Sequence, residues 1–243
     1  SGVEVEIGLL EKECQELNRR FVTFIRKQRP YIILKWAMTA DGYLGAGGSH
    51  PEQIGSVRIS GPLAHVLVHR QRTTEDAVLV GTRTAWKDNP MLTARDWSGK
   101  NPVRIVIDRK LQLPASLHLF DGENKTIIFN ENISLQKGNI CWEKVESGID
   151  ISRQIVQKLY EWNIQSLIVE GGAATLRTFI ENDLWDEAHI YTGKQWFLEG
   201  VKAPEIRGEV TATEQLEEST LTVIRNFPKI TIPNAASSPE AGY

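Results

Sequence analysis

Apolar positions along the chain fall into short β-branched runs separated by stretches with helical spacing. Tyr31 to Ala37 is a β-branched and aromatic run broken by one charge, Lys35, and predicts a buried strand closed by a turn at Asp41-Gly42. Similar runs predict strands at Ala77 to Val80, ending in Gly81, and at Val103 to Ile107, Thr126 to Phe129, Ser166 to Val169 and Glu187 to Tyr191. Helical spacing predicts helices at Ile151 to Trp162 and Ala173 to Asn182. A further helix is capped by Ser60, has Pro62 in its first turn, and carries Leu63, Val66, Leu67 and Arg70 on to Thr74. Alternation of strand and helix predicts an α/β fold with a largely parallel sheet. The last runs, Glu209 to Leu216 and Leu221 to Phe227, have no helix between them and predict an antiparallel hairpin at one edge.

Before the first strand, Val3 to Ile7 is β-like. A helical run then extends from Leu9 to about Arg26 on Leu10, Cys14, Leu17, Phe21 and Phe24, and Arg29-Pro30 ends it. Residues 45–51, rich in glycine, read as a mobile loop, and the chain from Pro233 reads as a disordered tail. The organisation expected is a joining segment at 1–28, one domain at 29–232 and a tail at 233–243.

At 243 residues and 41% hydrophobic, the chain can bury an ordinary core. Cys14 and Cys141 form no CxxC and no ligand spacing with histidine, which argues against a disulfide scaffold and for a reducing cytoplasm. A net charge of -3 with mixed signs argues against a nucleic-acid partner, and the absence of an apolar run near 18 to 20 residues argues against a membrane span. His65 and His69 are spaced i, i+4 without a third ligand nearby; they read as helix-surface residues, and no metal is expected.

Two segments place glycine at the carboxyl end of a strand, where open α/β sheets bind ligands. In the first, Gly81 admits close backbone approach and Thr82 and Thr84 offer hydroxyls beside a helix start; a plain strand-to-helix turn is the competing reading. In the second, Glu170 and Gly171-Gly172 open a helix whose free amides suit a pyrophosphate, although Gly-Gly there also suits a tight turn. Glu170 and Lys35 are charges at buried strands, so each is either paired or functional. Arg95 and Arg109 follow proposed elements on the ligand side, whereas Arg72 either serves a ligand or complements a helix terminus.

Together LKWAMTADG (34–42), SVRISGPLAHVLVHRQR (56–72), VLVGTRTAWKDNPMLTAR (78–95), PVRIVIDR (102–109), LIVEGGAATL (167–176) and VKAP (201–204) resemble the reductase domain of the bifunctional riboflavin-biosynthesis deaminase/reductase family. The resemblance implies a dihydrofolate-reductase-like fold, a homodimer, and NADPH contacts from Ala37, Gly81, Thr84, Asp88, Arg109, the run Gly171, Gly172, Ala173, Ala174 and Thr175, and Thr178. It implies substrate contacts from Ser56, Arg72, Leu92, Arg95 and Glu170, with Lys35, Asp88 and Glu170 as catalytic candidates. The activity implied is reduction of the ribosyl group of 5-amino-6-(5-phosphoribosylamino)uracil to ribityl. A pteridine reductase and a non-catalytic nucleotide-binding module are the competing readings.

Three departures stand out: Arg58 in place of a frequent tryptophan, Asn89 in place of the second of two aspartates, and TGKQWFLEG at 192–200. The opening segment is similar to the tail joining deaminase to reductase. The deaminase H-x-E and P-C-x-x-C elements do not occur, which predicts a reductase without deaminase activity.

Overall fold

The computed structural model describes Glu6 and residues 8–46 and 59–227. The β-like piece at Val3 to Ile7, most of the glycine-rich loop, Ser56, Arg58 and the tail from Pro233 lie outside the described residues, Glu6 aside. In chain order the helices are α1 (Glu11–Leu17), α2 (Arg19–Lys27), α3 (Pro62–Thr74), α4 (Thr82–Asp88), α5 (Ile151–Glu161) and α6 (Ala173–Glu181). The strands are β1 (Tyr31–Met38), β2 (Tyr43–Ala46), β3 (Ala77–Gly81), β4 (Val103–Ile107), β5 (Thr126–Asn130), β6 (Leu135–Lys137), β7 (Ile140–Lys144), β8 (Ser166–Val169), β9 (Glu187–Gly193), β10 (Gly200–Lys202), β11 (Glu209–Gln215) and β12 (Ser219–Arg225).

Among the described residues, ten strands form one sheet in the order β11-β12-β9-β1-β8-β3-β4-β5-β7-β6, and β2 pairs with β10 in a separate ribbon. The pairings from β9 across to β7 are parallel, while β12, β11 and β6 are antiparallel to their neighbours. The C-terminal hairpin thus extends the edge beyond β9, as its unbroken strand pattern predicts. Both sheet faces are covered, so the central strands bury side chains on either side. Ile32, Leu34, Trp36, Leu79, Ile105, Leu167 and Val169 pack with Ile155 and Leu159 of α5 and Leu176 and Phe179 of α6. On the opposite face, Val78, Val80, Val106 and Ile168 join Leu92, Leu113 and Leu119, and Ala64 and Val68 of α3 meet Tyr191 and Leu216.

Several local expectations need correction. The opening helix is two helices, divided at Asn18, whose side-chain amide donates to Cys14 O at 2.8 Å and competes with the continuing ladder. Its apolar stripe is largely solvent-facing: Leu10, Leu17 and Phe21 are exposed, and Phe24 is buried against Tyr160. α2 docks on the sheet domain in this way and ends at Lys27, with Gln28 as its C-cap. Gly61, not Ser60, caps α3; Glu218 of the hairpin turn lies so close that a Cβ on Gly61 would sit 2.8 Å from it. Strands β6 and β7 went unpredicted because their residues are polar or half-buried and carry no apolar alternation.

Asp186 ties α2, β1 and β9 together. Its carboxylate accepts from Arg29 Nη1 (2.5 Å) and Nη2 (2.9 Å), Lys27 Nζ (2.8 Å) and the Ile32 amide (2.9 Å). Removing it leaves a buried arginine unpaired, so Asp186→Ala is expected to cost about 3–5 kcal/mol in urea unfolding. A loss near that of an exposed substitution would show the pair to be dispensable.

Candidate active site

Chain order sets the site. After β1 the chain crosses to β3 and continues outward through β4, β5 and β7; it returns through α5 to insert β8 between β1 and β3. The carboxyl ends of β1, β8 and β3 therefore meet where the winding reverses, which is where open α/β sheets form ligand crevices. The pairing Leu34↔Val169 brings the next residues, Lys35 and Glu170, to adjacent positions. On both strands these residues alternate away from the face occupied by Leu34 and Val169, so both side chains point toward α3.

There they meet Arg72. Arg72 Nε and Nη2 donate to Glu170 Oε1 and Oε2 at 2.9 and 2.8 Å, Nη1 donates to Thr93 O at 2.9 Å, and Lys35 Nζ lies 3.8 Å from Glu170 Oε2. The Lys35 ammonium also sits 5.8 Å from the ring centroid of Tyr191, a cation–π contact supplied by β9. Burial by itself would raise the Glu170 carboxyl, but the charges of Arg72 and Lys35 outweigh it and hold the group at about 2. Burial pushes the Lys35 ammonium below the ordinary lysine value; Glu170 opposes the shift and Arg72 adds to it. An arginine forked onto the carboxylate keeps Glu170 ionised, and the largely buried lysine beside it carries a proton whose release burial favours.

The glycine segments adjoin this cluster. Glu170 N donates to Leu79 O, and Gly172 N donates to Thr84 Oγ1 at 2.9 Å, so the starts of α4 and α6 are bonded side by side. None of Gly81, Gly171 and Gly172 is at positive φ; they are required for space. A Cβ on Gly81 would lie 2.4 Å from Thr175 Oγ1, one on Gly171 2.5 Å from Thr175 Cβ, and one on Gly172 3.2 Å from Thr84 Oγ1. Ala173, Ala174 and Thr175 occupy the first turn of α6, where amides lack acceptors within the helix.

Other expected residues are placed less centrally. Thr178 stands a turn further along α6, its hydroxyl donating to Ala174 O at 3.0 Å. Ala37 packs beside Tyr191 near the carboxyl end of β1. Asp88 is exposed at the last residue of α4. Asn89 caps α4 at φ 38°, and its Oδ1 accepts from His118 N; nothing in the structure explains the departure from aspartate. Leu92, also left-handed (φ 54°), has its side chain sealed in the core at 1% exposure, leaving its backbone for any ligand.

Arg72 and Arg95 do not form an equivalent pair of anion donors. Arg72 is 8% exposed with its charge matched by Glu170, whereas the Arg95 side chain is 47% exposed. Arg109 is paired with Glu131 through Nη2 at 2.6 Å and Nε at 2.7 Å. His69, expected on the helix surface, is 1% exposed, and its neighbour across the gap is Asp96, a residue with no sequence signal. Tyr191 was likewise missed; an aromatic at a strand's carboxyl end was its one available sign.

A parallel sheet whose winding reverses beside glycine-lined helix starts defines an α/β domain of the class that binds ligands at its strand ends. The RibD C-terminal domain family matches residues 30–194, and the chain belongs to that family. It is 36% identical over 210 residues to the riboflavin biosynthesis protein RibD of Aquifex aeolicus, covering 83% of this chain and 56% of that protein. The chain thus spans little more than half the length of that relative. A diaminohydroxyphosphoribosylaminopyrimidine deaminase/5-amino-6-(5-phosphoribosylamino)uracil reductase from Thermotoga maritima superposes with a TM-score of 0.78 at 31% identity, over 93% of this chain and 65% of that one. A riboflavin biosynthesis reductase of Saccharomyces cerevisiae shares the fold at 18% identity (TM-score 0.62, 86% of this chain and 99% of that one). The resemblance drawn from the motifs and the dihydrofolate-reductase-like fold it implied are both borne out.

Glu170 has a depressed folded-state pKa, about 2 against an ordinary 4.5. Its contribution to stability is therefore complete above pH 4.5 and lost as pH falls towards 2. Glu170→Gln is expected to destabilise the protein by about 3–5 kcal/mol at neutral pH and to flatten this acid limb. Parallel acid-unfolding curves for variant and wild type would contradict the pairing.

Proposed function

We propose that the chain reduces the ribosyl group of 5-amino-6-(5-phosphoribosylamino)uracil to ribityl with NADPH, residues 29–232 forming the catalytic domain. The observation that carries this reading is the Arg72–Glu170–Lys35 cluster at the reversal point of the sheet, next to the paired starts of α4 and α6. The Thermotoga maritima protein that superposes on the chain is a 5-amino-6-(5-phosphoribosylamino)uracil reductase, which supports the reading. The residues suit the cofactor: first-turn amides of α6 meet a pyrophosphate, and Gly81, Gly171 and Gly172 let the starts of α4 and α6 close against each other beside them.

Bound NADPH supplies the hydride. The protein contributes charge and position. Glu170, held by Arg72, places a fixed negative charge where the substrate nitrogen becomes positive, and Lys35 holds the proton. Arg95, exposed and weakly held, takes the substrate phosphate. Arg109 takes the 2′-phosphate of the cofactor in exchange for Glu131. Ala37, Thr84, Asp88, Thr178 and the Leu92 backbone line the remainder; Ser56, outside the described residues, is assigned to substrate contact by the resemblance alone. A homodimer is part of the same reading, supported by β11, an edge strand exposed along its whole length.

NADPH oxidation with the aminouracil substrate tests the activity. Lys35→Met is expected to lower kcat by about 100-fold or more and to remove the alkaline limb of the pH profile, since a proton donor is lost as pH rises through its lowered value. Arg95→Ala is expected to raise the substrate KM about 10- to 100-fold and leave the NADPH KM unchanged. Arg109→Ala is expected to narrow the preference for NADPH over NADH. If Arg95→Ala weakens NADPH and spares the substrate, the two halves of the site are assigned the wrong way round.

A further inference from the structure

α3 carries His65 and His69 four residues apart, which places both rings on one side of the helix with centroids 4.6 Å apart. The segment after α4 folds back over them and delivers Asp96. One carboxylate oxygen, Asp96 Oδ2, lies 3.2 Å from His65 Nδ1 and 3.3 Å from His69 Nε2, and the three ligand atoms all fall within 4.8 Å of one another. In a tetrahedral zinc site with bonds near 2.05 Å, the edges between ligand atoms are about 3.3 Å. Both oxygen-to-nitrogen spacings match that edge.

We propose that His65, His69 and Asp96 form a site for one divalent transition-metal ion, zinc first, with three protein ligands and a fourth position open to water. Two imidazoles and a carboxylate are donors that zinc and cobalt accept and that magnesium and calcium, which prefer all-oxygen shells, do not. Access is available, because His69 is buried while Asp96 is 41% exposed and His65 35%.

Two neighbours bear on the charge. Arg72 is neutralised by Glu170, and Arg95 Nε, 3.9 Å from Asp96 Oδ2, belongs to a side chain exposed enough to swing away. Ligation through His69 Nε2 moves the ring proton to Nδ1, which gives up the 3.3 Å contact from the Asp96 amide, a long bond worth little. In return the ion fastens the segment bearing Thr93, Arg95 and Asp96 to α3. The site is separate from the riboflavin-pathway reading and stands or falls without it.

The test titrates the full, tag-free chain with Zn²⁺ by calorimetry and with Co²⁺ by visible absorption, in a Cys14→Ser/Cys141→Ser background that removes the thiols. One ion per chain is expected, with tetrahedral cobalt bands, and thermal unfolding should shift upward with Zn²⁺. His65→Gln and Asp96→Asn, both at partly exposed positions, should each weaken binding more than about tenfold and abolish the thermal shift while circular dichroism stays that of wild type. Failure to bind one ion per chain, or binding that neither substitution changes, overturns the proposal.

Discussion

The carboxylate of Glu170 is the point on which the site depends. It terminates β8 between two strands laid down much earlier in the chain, and it is held by a guanidinium from α3 and approached by an ammonium from β1. Three elements far apart in sequence are thus registered by one buried group. Without Glu170, two cations would face each other across a poorly solvated gap, and the crevice would have to open or take up a counter-ion. The same arginine reaches Thr93 O and so fixes the segment that carries Arg95 and Asp96.

Steric packing completes what the ion pairs begin. Gly81 and Gly171 lie on either side of Thr175, and Gly172 lies against Thr84, so the two helix starts fit together because three residues lack a Cβ. These glycines lie at ordinary φ, and their conservation of space is owed to neighbouring protein atoms before any ligand arrives. The amide of Gly172 is already satisfied by Thr84, which moves the anion-binding capacity of this corner one residue further, to the first turn of α6.

Not every buried charge belongs to the crevice. Arg104 on β4 has no exposed surface, yet it serves structure: it binds Asp121, Thr126 Oγ1, His118 O and Asn124 O, and so holds the segment between β4 and β5. Arg29 and Asp186 do similar work just before β1 and β9. Lys35 differs in that its counter-charge is shared with Arg72 and its own charge is disfavoured by burial.

The sequence by itself determined the parallel α/β class, the central strands to within two residues, the edge hairpin, and the family, because buried strands are short apolar runs and the motifs keep their order. It also identified Lys35 and Glu170 as misfits in apolar strands. It could not say whom they meet, since local pattern carries no information about which strands become neighbours. Only the tertiary structure decided that β8 inserts between β1 and β3, which brings Glu170 beside Lys35. It also removed Arg72 from the set of free anion donors, divided the first helix at Asn18, and set Asp96 against a histidine pair 27 to 31 residues earlier. Each of these depends on contacts across the chain, where the long-range geometry of the sheet, and no local residue preference, selects the partner.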